Sequence, residues 1–229
     1  MPFTPVQTKT AVSTVSGTAI TATFNTPPAE GNFISAIVMH TGVNILPDSS
    51  WGPFQLATGA ICVLYHFFKI AEAGESSTFS VTSPASVTWA VVLQEYTADS
   101  EATNDFALVD SNKAAGASSY TLSVASGGKA TGDTDFGIAA FASQGGTART
   151  FTSWSDGFVE VADLQPAGTV VAYLGVAAQV YNPTPDYPLF TVGLSGVTAT
   201  KPSMLIQALN TIPNPDKTRS QLQQAAGRW

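Results

Sequence analysis

The sequence predicts an all-β protein: a single jelly-roll-like β-sandwich built from two internal repeats, followed by a short C-terminal arm. Three observations carry this prediction. Charged residues make up only 11% of the chain and 14 prolines punctuate it, a composition poor in the Lys, Glu and Arg that clothe exposed helix faces and rich in the Thr, Val and Ser of short strands and turns. Apolar and polar residues alternate with period two in several segments. The third is that the order of features in the first half recurs about a hundred residues later.

The first predicted strand is "TAITATF", where Ile20, Ala22 and Phe24 share one face and Thr21 and Thr23 the other. "PPAEGN" breaks it. The strand-like runs "FISAIVMH", "AICVLYHFFKI", "STFSVT" and "SVTWAVVLQEY" follow, separated by turn-rich segments such as "TGVNILPDSSWGP" and "AEAGES". The series restarts near residue 117 with "SSYTLSVA", then "GDTDFGIAAFAS", "GFVEVADL", "TVVAYLGVAAQVY", "PLFTVGLS" and "SMLIQALN".

Tyr120, Leu122 and Val124 answer Ile20, Ala22 and Phe24; Gly132 answers Gly31; Trp154 answers Trp51; "LFTV" answers "TFSV". "FFKIAEAGE" and "SMLIQALN" each have the Ala, Leu and Glu content of a helical turn, and the repeat assigns both to strands. The expected organisation is a sandwich over residues 1–212, with repeat one at about 17–97 and repeat two at about 117–210. "TADSEATNDFALVDSNKAAGA" connects them, and each half closes its one apolar face against the other.

After Asn210 the character changes to "TIPNPDKTRSQLQQAAGRW". Pro213 and Pro215 end the strand pattern, Asp216 is placed to cap a short polar helix and Gly227 to end it. Residues 213–229 are therefore read as an arm, with Leu222 and Trp229 as the candidate contacts to a neighbouring subunit.

Nine basic residues against sixteen acidic ones give a net charge of −7, the wrong sign for a phosphate-binding surface, so nucleic acid is not an expected partner. The single cysteine, Cys62, lies in the apolar run "AICVLYHFF", which excludes an internal disulfide and reads as core. "MPFTPVQTKT" has neither the basic n-region nor the apolar h-region of a secretory signal, and no run approaches the roughly 18 uninterrupted apolar residues of a membrane span. Synthesis in a cytoplasm, without a membrane as partner, is the expectation.

No catalytic or cofactor motif is present: no HExxH, GxSxG or CxxC. His40 and His66 sit at or near the ends of apolar strands and read as structural. Asp133 and Asp135 in "GDTD" place two carboxylates close together, fewer oxygens than the six or more a hard cation takes, so they read as a turn and no metal is expected. Trp51 and Trp154 follow turns at equivalent repeat positions. Core packing is the first expectation for both, and stacking against a pyranose ring is the alternative.

The segments "EGNFISAIVMH", "PDSSWGPFQLA" and "LYHFFKIAEAGESSTFSVTSPASVTWAVVLQEY", with their second-half counterparts, give a chain of about 200 residues that resembles the β-sandwich structural proteins of tailed bacteriophages and related prophages, the minor tail and virion structural proteins. The resemblance implies a non-enzymatic component of a virion, in the tail, at the baseplate or as a capsid decoration, whose partners are other virion proteins and copies of itself. The alternative is a carbohydrate-binding module that attaches to a host-surface glycan.

Overall fold

The structure, a computed structural model, describes residues 3–42, 51, 54–58, 62–98, 104–115, 119–125, 136–144, 153–154, 157–167, 172–180 and 191–213. The regular elements among these are all strands. The first half holds β1 (Phe3–Val12), β2 (Gly17–Thr23), β3 (Phe33–Thr41), β4 (Phe54–Thr58), β5 (Cys62–Ile70), β6 (Thr78–Val87) and β7 (Trp89–Ala98). The second holds β8 (Asn104–Ala115), β9 (Ser119–Ala125), β10 (Phe136–Gln144), β11 (Ser153–Trp154), β12 (Val159–Leu164), β13 (Ala172–Val180) and β14 (Thr191–Pro213). The all-β class expected from composition is the one observed, in a sandwich-like arrangement, and "FFKI" and "SMLIQALN" lie in β5 and β14 as strands.

The first sheet has the order β1-β7-β3-β5-β4, antiparallel throughout, and β2 and β6 form a separate two-stranded ribbon. In the second sheet β14 pairs β8 and β10, β10 pairs β13, and β13 pairs β12, while the early part of β14 pairs β9 and β11. The order β8-β14-β10-β13-β12 thus follows the same rule as β1-β7-β3-β5-β4. What β6 and β7 do as two strands divided at Thr88, the 23-residue β14 does as one.

Four strands, β1, β4, β8 and β11, occupy segments in which the sequence shows none. β1 precedes the first predicted strand, and β8 lies inside the stretch expected to connect the halves. In β1 the reason is exposure: its side chains beyond Phe3 are exposed or half-buried, so an edge strand held by nine backbone pairings with β7 needs no apolar alternation. In β8 the polar residues Asp105, Asp110, Asn112 and Lys113 interrupt any apolar alternation in the sequence.

A further difference concerns the layers. Each half was expected to bury one face, yet β3 is buried along its whole length. Its odd-numbered residues Phe33, Ile37 and Met39 join Leu64, Val92 and Tyr96 against Phe136, Ile138, Leu174 and Val176 of the second sheet. Its even-numbered residues Ile34, Ala36 and Val38 turn the other way and meet Ile20, Phe24, Trp51, Phe79 and Val81. The β2–β6 ribbon folds over the outer face of the first sheet and makes a third layer. Each large side chain fully buried in these cores contributes about 1.5–3 kcal/mol.

Candidate functional site

β1 ends the first sheet and β12 ends the second, and the two edges run beside one another, joined by the Ala167 N–H donating to the Ser13 carbonyl at 3.0 Å. Between them opens a cleft of about 490 Å³, with Thr8, Gln94 and Tyr96 on the wall of the first half and Val159, Glu160 and Gln179 on that of the second.

Strand register places the polar residues. Thr8 lies opposite Gln94, and Gln94 opposite Ser35, so a polar row crosses three strands from the cleft into the interior. Gln94 Nε2 donates to the Tyr96 hydroxyl, and burial pushes the Tyr96 phenol well above its ordinary range, the Gln94 contact opposing. At the rim, the Trp154 Nε1–H donates to Glu160 Oε2 at 3.1 Å.

The polar row ends in a fully buried pair, with Ser35 Oγ 2.8 Å from His66 Nε2. These are residue types of a nucleophile and its base, but the pair is shut away from solvent. Burial holds His66 down to about 3 and His40 to about 4, the Thr41 backbone opposing in the second case. His40 stacks on Tyr65 with ring centroids 5.3 Å apart and its Nε2 lies 3.3 Å from the Tyr65 hydroxyl. Cys62 is buried and its thiol is pushed up to about 12, which keeps it protonated.

On the opposite face of β7, Glu95 is a carboxylate only 2% exposed. It accepts from Gln7 Nε2 at 2.5 Å, Asn32 Nδ2 at 2.5 Å and the Ala29 N–H at 2.9 Å. Gln7 in turn donates to the Thr26 carbonyl and accepts from the Asn25 N–H. One side chain therefore ties β1 and the β2–β3 loop to β7. Glu95→Ala removes the acceptor that the Gln7, Asn32 and Ala29 donors share in a part-buried place and is expected to cost about 1–3 kcal/mol, read as a lowered midpoint in urea denaturation.

The residues singled out from sequence fare differently. Trp51 is 3% exposed and packs edge-on against Phe79 at 4.9 Å within the outer core. The stacking alternative is thereby corrected for Trp51, because its ring faces are spent on packing and none is presented to a sugar. Trp154 is half-buried on β11 beside the cleft rim. Leu222, Trp229, Asp133 and Asp135 lie outside the described residues. Among the described residues no group of three or more His, Cys, Asp and Glu side chains is placed to hold a metal ion.

Sequence reasoning missed Gln94, Glu95, Glu160 and Gln179. The signal for the first two was there: "VVLQEY" puts two adjacent polar residues into an apolar strand, and in a strand enclosed on both sides each face must then take one. No family model, curated protein or solved structure matches this chain.

Proposed function

We propose that this chain is a non-enzymatic structural component of a bacteriophage virion, in the tail or baseplate or as a capsid decoration, acting through contacts with other virion proteins and with copies of itself. The observation that supports this reading is where its exposed large apolar side chains lie. Among the described residues these are Val6, Val12, Val15 and Val159. The first two lie on β1, the third in the turn after it, and the fourth on β12. Two neighbouring sheet edges thus carry exposed apolar side chains, a surface suited to edge packing by a partner subunit. The C-terminal arm adds reach in this scheme, with Leu222 and Trp229 as its contacts.

The test is mass spectrometry of purified particles together with a complementation assay. The wild-type chain is expected in the particle. Val12→Lys with Val159→Lys, at exposed positions that leave the core intact, is expected to cut incorporation severalfold, and removal of residues 214–229 to reduce it as well. Absence of the chain from particles, or full occupancy by both altered chains, would overturn the proposal.

A further inference from the structure

We infer that the cleft between β1 and β12 is a binding site for a small, neutral, polyhydroxylated ring, a mono- or disaccharide unit, held through the side-chain amides of Gln94 and Gln179. Gln94 is 1% exposed; its Nε2 is committed to the Tyr96 hydroxyl while its Oε1 has no hydrogen-bond partner. Gln179 Oε1 is likewise buried and without a hydrogen-bond partner, and both residues line the same cleft. A buried acceptor left unmet costs about 1–3 kcal/mol, and two on one cleft, one from each half of the molecule, mark a place where something with donors completes the site.

Gly157 lies against one of them. It holds a φ of +80°, and a Cβ placed there would lie 2.7 Å from Gln179 Nε2. A glycine keeps the backbone strain-free and leaves room for the amide. The cleft, at about 490 Å³, lies within the roughly 300–1,000 Å³ of small-molecule sites.

The chemistry of the lining selects the ligand class. Both unmet atoms accept, so the ligand must donate. Much of the remaining wall is apolar, from Pro5, Phe136, Val159, Val161 and Ala178. The carboxylate on this wall, Glu160, is exposed at the rim and already accepts from Trp154. An ammonium group seated on the two amide oxygens would give up its hydration with its counter-charge outside in screening solvent. Ring hydroxyls donate to the two amide oxygens without that cost once the amides turn toward the cleft, and the C–H face of the ring lies on the aliphatic wall of Pro5, Val159, Val161 and Ala178 with the Trp154 indole beside the mouth. This site does not depend on virion membership, and a chain absent from particles would leave it standing.

The full-length ¹⁵N-labelled protein is titrated with glucose, galactose, N-acetylglucosamine and maltose to tens of millimolar while the side-chain NH₂ signals of Gln94 and Gln179 are followed by NMR. At least one sugar is expected to shift both signals saturably, and Gln179→Ala to weaken that binding about tenfold or more. Val159→Arg, at a position 69% exposed, is expected to abolish the shifts by filling the mouth without entering the core, which keeps the test decisive should Gln179→Ala fail to fold. No response of either amide to any of the four sugars overturns the inference. So does undiminished binding in the substituted chains, or an equal response to arginine amide.

Discussion

Replacing Phe136 by Ala is expected to lower the unfolding free energy by about 3–5 kcal/mol. The ring is fully buried at the start of β10, where the second sheet meets the first. It stacks on Phe3 at 4.7 Å with an interplanar angle of 18°, lies 4.5 Å from Tyr96, and stands edge-on to Phe33 at 6.3 Å. Its partners come from β1, β3 and β7, so the cavity left by truncation opens between the sheets and not inside either one. Those partners sit on paired strands and collapse poorly into the space, which puts the expected loss at the upper part of the range for aromatic truncations. Urea denaturation of the two chains measures it, and a loss below about 1.5 kcal/mol, the scale of a conservative core exchange, would show that the sheets do not depend on this contact.

Acidification is expected to remove stability on the order of 5 kcal/mol between neutral pH and pH 4 through two histidines alone. In the unfolded chain both titrate near 6.5, whereas burial lowers His40 to about 4 and His66 to about 3 in the folded one. The unfolded state therefore binds protons first. Their contribution is fully present above about 6.5 and falls as pH drops through the window toward 4 and 3, because the folded state refuses protons that the unfolded state accepts. Denaturation midpoints taken from pH 8 to pH 4 read this slope. His66→Asn, although less stable at neutral pH, is expected to flatten it, and an unchanged slope in that variant would count against the buried neutral imidazole as its cause.

How much of this was legible in the sequence follows from which side chains report burial. The central strands were plain: "FISAIVMH" and "TWAVVLQEY" are long apolar runs, as strands covered on both faces must be. β1 and β8 were not, since a peripheral strand is held by backbone pairing and its residues carry no periodic signature of it. The extra layer was missed because period-two alternation in "TAITATF" says that one face is buried but not what it is buried against. Ile20, Ala22 and Phe24 cover the outer face of the first sheet, and the interface with the second sheet is made by Phe33, Tyr96 and Phe136 instead.

For the cleft, the eye is drawn to tryptophans, and Trp51 proved to be packing. The informative residues there are amides, whose meaning lies in a missing hydrogen-bond partner and therefore in three-dimensional placement. Register supplies part of it, by setting Gln94 between Thr8 and Ser35, and the approach of a distant strand supplies the remainder.

A strand roofed on one side by the ribbon and floored on the other by a second sheet, as Phe33–Thr41 is, has no local route to solvent. Its amide hydrogens exchange only when the whole domain opens, so they should be the last in the protein to do so and should report the global unfolding free energy. Peeling away either layer would strip a core that the same strand shares with the other, and denaturation should accordingly run through the first sheet as one event.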